Sequence, residues 1–319
     1  MLFRSVFDRF DDYWGQKPFV DRVILRVISN AAVRFTALRA GDVDLIERAP
    51  YEWVKMVVDG KVRGVDFVKA QYAAFRSMDF NVVFPPFDNK KLRLAVAHAI
   101  NREEILRAAY FGLGEPTDQR YPKGHSGYMN GVPSASYDPK KAAALLKESG
   151  YKGESIEIML NQGEAAETEA TVLQAQLRRI GMSLKLKVLD RGAALDARRR
   201  GKFSMKFAGG GFDVDPLEAY VGMKCEPDRK IKRVRNEIGY CDGEMDRLLA
   251  AAAREMNPGK RMDLLKRIVT KVNSDVPKIY IGYAPRVFAF RDYVKGFTTN
   301  AEGDFRPWGA GLNHVWLDK

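Results

Sequence analysis

The chain has 319 residues and carries 53 Lys and Arg against 41 Asp and Glu, a formal charge of +12. Hydrophobic residues at 46% and charged residues at 29% match ordinary globular usage, which excludes disordered, collagen-like and low-complexity classes. Two cysteines and three scattered histidines (His98, His125, His314) exclude a disulfide-dense mini-scaffold and a four-cysteine zinc site, and argue against a His-based metal centre. The length suggests two domains on a prior of roughly 150 residues each. No stretch reaches the ~18 to 20 apolar residues of a membrane span. The first twelve residues, MLFRSVFDRFDD, break every apolar run with a charge, so they hold no export signal, which needs ~7 to 15 apolar residues in a row. Taken alone, that implies a cytoplasmic protein.

In chain order, Asp88 opens a helix carrying Leu92, Val96, Ala99 and Ile100. Asn101 with Glu104 three residues later is a capping-box variant opening the next, with Ile105, Leu106 and Ala109 inside. Residues 111–137 are rich in Gly and Pro and predict an irregular excursion on the surface or over a cleft. Asp138-Pro139 supplies an N-cap and a first-turn Pro for a helix through Ala142, Leu145 and Leu146, ended by Gly150. A strand over 154–160 and a helix over 167–180, with Leu173, Leu177 and Ile180 on one stripe, follow. Residues 182–189 alternate strictly, which puts Met182, Leu184, Leu186 and Val188 on one strand face. A short helix over 193–200 leads to a strand at 203–207. This alternation of helix and strand predicts an α/β layer with crossover connections. Two helices follow, 242–256 and 258–273, the second with Met262, Leu265, Val269 and Val272 inward, and a β-rich stretch at 279–290 closes the series.

The basic surplus concentrates at 229–235 (RKIKRVR), at Arg198-Arg199-Arg200 and at Lys90, Lys91 and Arg93. No RNP, zinc-finger or KH pattern accompanies these runs, and solvated loops account for them best. A basic nucleic-acid-binding module is the alternative reading, separable by the steep salt dependence that phosphate contacts confer. Gly124-His125-Ser126-Gly127 lacks G-x-S-x-G spacing and reads as a turn. Gly209-Gly210-Gly211 follows a strand but lacks a P-loop or dinucleotide fingerprint. Asp213 and Asp215 lack the further oxygen ligands of a calcium loop, so no metal and no cofactor are expected. No acid–base pair or triad assembles, and the chain does not read as an enzyme; a metal- or nucleotide-dependent enzyme at Asp213 and Asp215 is the weaker alternative. What remains is the segment FAGGGFDVDP at 207–216. Its glycines let backbone approach a partner closely. Its carboxylates either pair with a ligand ammonium or cap local backbone.

At these residues a resemblance emerges. Asp12-Tyr13-Trp14-Gly15, the run ALRAGDVDL at 37–45, Phe80-Asn81, PPFD at 85–88 and LRLAVAHAINR at 92–102 resemble signature blocks of the family 5 extracellular solute-binding proteins. These are the peptide-type binding components of ABC importers. YDPKKA at 137–142, Gly150-Tyr151, Gln176-Leu177, Ile180-Gly181 and the glycine-rich Asp-Pro loop follow in the family's order, so the resemblance spans essentially the whole chain.

The resemblance implies an α/β, two-lobed periplasmic-binding-protein-like (class II) clamp with lobe I incomplete. Residues 1–80 would be the later part of lobe I, 81–284 lobe II, and 285–319 the return to lobe I, with crossings near Met78–Asn81 and Tyr280–Pro285. Family members carry an export signal and a further block before the Tyr-Trp-Gly motif, which implies a truncated frame or a fragment and a periplasmic or extracellular protein. It also implies a monomeric partner of an ABC transporter permease, taking a peptide or other small solute, with no nucleic acid and no membrane span. By resemblance the ligand site comprises Gly210, Gly211, Phe212, Asp213 and Asp215, with Asp213 or Asp215 holding a ligand amino group, and Gln162 in the loop after the 154–160 strand. Dipeptide-type members place a basic group in that loop to pair with the ligand carboxylate. Asn161-Gln162-Gly163 stands there instead, which argues against a bidentate carboxylate clamp and leaves open longer peptides bound through backbone, or another solute altogether. Cys225 and Cys241 fall in a loop where some members carry a disulfide, and exported material would carry it here; two reduced thiols are the alternative.

Overall fold

The computed structural model describes residues 4–161, 164–211, 213, 215–228, 235–299 and 311–319, apart from the side chains of residues 72, 73 and 164. The chain forms two compact units, Met1–Ala74 with Ala284–Lys319, and Phe75–Tyr283.

The first unit opens with a hairpin of β1 (Arg4–Asp8) and β2 (Arg22–Arg26), in which Val6 faces Ile24 and Phe7 faces Val23. Apolar side chains on both faces of this hairpin are exposed, Val6, Phe7, Ile24 and Leu25 among them. Helix α1 (Ala31–Ala40) starts where the Asn30 side chain accepts the Val33 amide and stops at Gly41, whose φ of 82° suits a residue without Cβ. After β3 (Leu45–Glu47) comes α2 (Tyr51–Val58), whose Trp53 stacks on Phe35 of α1 at 4.6 Å. The long strand β4 (Val65–Phe80) then carries the chain into the second unit.

There the expected helices appear with their caps. Helix α3 (Lys90–Ala99) starts after Asn89, one residue later than expected, because the Asn89 side chain and not Asp88 accepts the first free amides, those of Lys91 and Leu92. Asn101 caps α4 (Arg102–Tyr110) through the Glu104 amide. The Gly/Pro-rich excursion contributes the short strand β5 (Glu115–Pro116), and along it Thr117, Gln119, Arg120 and Tyr121 are buried. Then follow α5 (Pro139–Glu148), β6 (Ile156–Asn161), α6 (Glu164–Arg179), β7 (Leu184–Leu189), α7 (Arg191–Arg199) and β8 (Met205–Gly210). The short α8 (Glu218–Val221) precedes α9 (Gly243–Arg254) and α10 (Pro258–Asp275). Strand β9 (Lys278–Arg291) returns to the first unit, where β10 (Val294–Lys295) pairs with β11 (Trp316–Leu317).

In the second unit the strand order is β9–β4–β8–β6–β7, with β5 added to β9. Strand β6 runs parallel to β7 and β8, as crossover helices require, whereas β8 is antiparallel to β4. A large apolar core unites Met245, Leu248 and Leu249 of α9 with Leu265, Ile268 and Val272 of α10. Each such side chain contributes roughly 1.5–3 kcal/mol on leaving water. In the first unit, β3 pairs antiparallel with β9, and Phe288, Val294, Phe297 and Val315 form a separate core.

The alternation of 182–189 continues along β7, and Val188 is 45% exposed because β7 ends the strand order. One expectation needs correction. Met262 is exposed, and the inward stripe of α10 is Leu265, Ile268, Val269 and Val272. The two compact units divide at Ala74–Phe75, and Phe75–Phe80 hydrogen-bond to Met205–Gly210 of the second unit.

Candidate functional site

The glycine-rich turn grows out of β8, whose expected end at Phe207 is extended by Ala208, Gly209 and Gly210. In the ladder with β4, Gly210 faces Phe75 and Gly209 faces Arg76. A Cβ on Gly209 would come within 2.8 Å of the Phe75 carbonyl oxygen, and one on Gly210 within 2.9 Å of the Phe75 ring. Those two glycines are therefore dictated by packing. Gly211 is different: a Cβ there meets nothing within 4 Å among the described residues.

Phe75 lies between two partners. The Arg120 guanidinium stacks on its face, 3.7 Å from the ring centroid, and Tyr280 packs edge-on at 6.2 Å. Arg120 is buried, and its Nη2 donates both to the Gly211 carbonyl (2.5 Å) and to Asp213 Oδ2 (2.6 Å). Its backbone carbonyl accepts the Tyr283 hydroxyl. Next to it, Tyr121 stacks on His125 at 4.6 Å and donates its hydroxyl to the Asp213 carbonyl at 3.2 Å. Burial raises the pKa of the Tyr121 hydroxyl, with the negative charge of Asp213 adding to the effect, so Tyr121 stays a donor at neutral pH. Gly124-His125-Ser126-Gly127 is the turn that supports it: His125 Nδ1 accepts the Gly127 amide, and a side chain at Gly127 would collide with the Tyr121 ring.

Asp215 takes two bonds from Arg261 Nη2 (3.0 and 2.7 Å) and accepts the Leu217 amide, which together hold its carboxyl below the usual range. Both carboxylates of the turn are thus matched by arginines of their own unit, Asp213 by Arg120 and Asp215 by Arg261. A turn balanced in this way presents polar atoms with little net charge, so a ligand ammonium gains less here than beside an uncompensated carboxylate. Phe212 and Gln162 lie outside the described residues.

Further along the same ladder, Lys206 and Asp79 are cross-strand partners and both are buried, Nζ to Oδ2 at 3.0 Å. Lys206 also meets Glu237 at 3.2 Å, and Ser77 donates to Asp79. Arg76 forms a two-bond pair with the fully buried Glu169, to which Tyr110 also donates. The structure bonds Cys225 to Cys241, with Cα atoms 4.4 Å apart.

Sequence reasoning reached the turn but missed Arg120, Phe75 and Arg261. Arg120 sits in the excursion, where no periodicity marks a buried side chain, and Phe75 precedes every element read from the sequence. Arg261 belongs to the outer face of a helix whose inner stripe carried the signal.

Residues 4–230 match the family described as bacterial extracellular solute-binding proteins, family 5 Middle. The chain is 26% identical over 310 residues to the dipeptide-binding protein of Escherichia coli, covering 94% of this chain and 57% of that protein. It is 25% identical over 302 residues to the glutathione-binding protein GsiB of Salmonella paratyphi A, covering 91% of this chain and 57% of that protein. Among solved structures, the periplasmic binding protein DppA of Helicobacter pylori in complex with the peptide STSA matches with a TM-score of 0.84 and 26% identity, over 99% of this chain and 60% of that one. The chain thus spans about three-fifths of the length of these relatives.

Proposed function

Because the chain belongs to the bacterial extracellular solute-binding proteins of family 5, we propose that it serves as the solute-binding component of an ABC importer, taking up a peptide-like solute outside the cytoplasm for delivery to a permease. One observation carries the reading beyond family membership: Gly211 is a glycine that packing does not require. Gly209 and Gly210 make room for Phe75 and Arg76, but no described residue fills the space at Gly211. A backbone bare of side chain at that point admits the main chain of a solute, whose amides need partners once they leave water. Among the described residues no helix is long and apolar enough to cross a membrane, in keeping with a protein that hands cargo to a separate permease.

The test is a thermal-shift series with di- to pentapeptides, joined to mass spectrometry of whatever co-purifies. A peptide that binds should stabilise the chain by about 2.7 kcal/mol at a hundred times its Kd. The variant Gly211→Ala should keep its unliganded Tm, since a methyl group there meets none of the described residues, yet bind the peptide about tenfold or more weakly. Absence of any peptide-induced shift, or wild-type affinity in Gly211→Ala, would overturn the reading.

A further inference from the structure

Three buried polar atoms of the second unit have no hydrogen-bond partner among the described residues: Arg120 Nη1, the Tyr220 hydroxyl and the Tyr280 hydroxyl. Their residues are 4%, 1% and 3% exposed, so solvent does not satisfy them. They are also neighbours. Tyr280 packs edge-on against the ring whose face carries Arg120, and Tyr220 and Tyr280 belong to the same core cluster, against which Phe75 packs. Burial raises the pKa of both tyrosine hydroxyls, and the Arg120 charge acts on each of them. Both hydroxyls are therefore donors at neutral pH, and a buried donor left unmatched is costly.

Unmatched donors in one region of a core call for a group made of acceptors. A carboxylate is acceptor-only, and a guanidinium binds it in a planar two-bond fork. Arg120 already holds one carboxylate, but on one nitrogen only: Nη2 serves Asp213 and Gly211, and Nη1 serves neither. The two members of this pair also differ in exposure. The Arg120 side chain is 4% exposed, whereas the Asp213 side chain is 34% exposed.

We propose that Arg120, with the hydroxyls of Tyr220 and Tyr280, forms a carboxylate-binding subsite behind the glycine-rich turn, and that a solute carboxylate enters by replacing Asp213 on the guanidinium. The exchange conserves charge at the buried arginine, leaves the Gly211 carbonyl in place, and gives Nη1 and the two hydroxyls an acceptor. This subsite rests on the reading that the chain binds a solute at this turn, and adds to it an acidic group as the solute's recognised feature.

The test uses isothermal titration of the 319-residue chain with Ala-Ala-Ala, its C-terminal amide, and Ala-Glu-Ala amide. Wild type should bind at least one carboxylate-bearing peptide about tenfold to a hundredfold more tightly than Ala-Ala-Ala amide. Preference for Ala-Ala-Ala assigns the subsite to a terminal carboxylate, and preference for Ala-Glu-Ala amide to an acidic side chain. Tyr280→Phe and Tyr220→Phe remove unmatched hydroxyls, so each should keep or raise the unliganded Tm while cutting the preference by about fivefold or more. Asp213→Asn should raise affinity for the preferred acid, having lost the competing carboxylate. Equal affinity for acid and amide peptides, or unchanged preference in both Phe variants, would overturn the subsite and leave the peptide-binding reading standing. Failure of all three peptides to bind would overturn both.

Discussion

Lys206 shows what one residue does for the ladder that carries the turn. Its ammonium is buried between Asp79 and Glu237, and Lys278 stands 3.8 Å from the same Asp79 oxygen. Burial opposes the charge on Asp79, but Lys206, Lys278 and the hydrogen bonds from Lys206 and Ser77 outweigh it and bring the carboxyl below its usual value. Breaking such a group from one side leaves a buried charge under-matched. Lys206→Met should therefore cost about 3 kcal/mol in urea denaturation, and Asp79→Asn in the Lys206→Met background should restore part of it, the mark of a coupled pair. An unchanged midpoint in Lys206→Met would show that the pair contributes nothing. None of this was legible in the sequence. Lys206 occupies the second place of an alternating strand, where a lysine reads as facing solvent, and only the β4–β8 pairing reveals that the face is covered.

Among the elements, the legible ones announce their ends chemically. Asp138-Pro139, Asn101 with Glu104, and Pro258 mark helix starts within a residue of those observed, because a free amide must find an acceptor and few residue types supply one. The stretch 279–290 was legible as β9, but the first three strands and β4 were not. The β1–β2 hairpin has apolar side chains on both exposed faces, so it lacks the alternation that marks a half-buried strand, and β4 continues from one unit into the other. Between α8 and α9 the chain makes a loop closed at its base by Cys225 and Cys241. The Asn236 side chain donates across the same loop to the Lys224 and Tyr240 carbonyls, so the folded loop has a second support. Reduction should then act mainly on the unfolded chain: loss of the bond should lower unfolding free energy by about 3 kcal/mol without abolishing the native fold. Equal denaturation midpoints with and without reductant would contradict this.

For the whole molecule, the basic surplus and the carboxylates act together on pH dependence. Asp79, Asp215, Asp242, Asp275 and Glu104 all have carboxyls held below their ordinary values of 3.8 and 4.5, each beside a lysine or arginine. A carboxyl with a depressed folded pKa contributes stability above its unfolded value and loses that contribution as pH falls through the folded value. Acidification also enlarges a charge that is already +12. Thermal unfolding followed against pH should show a plateau between about pH 5 and 8 and a steep fall below about pH 4. A Tm that holds steady through the acid range would show that these pairs do not stabilise the fold. At this scale the family and the α/β class were legible through motifs in fixed order, whereas the site's charge balance was not. Asp213 meets Arg120 and Asp215 meets Arg261 only after distant segments come together.

The division of the chain has a spectroscopic corollary. The four tryptophans occupy positions 14, 53, 308 and 316, so the segment from Phe75 to Tyr283 contains none. Indole emission therefore watches the smaller unit and is blind to the larger, which speaks only through its tyrosines. Comparing the two signals during denaturation distinguishes units that melt together from units that melt in turn, with no dye, label or engineered probe.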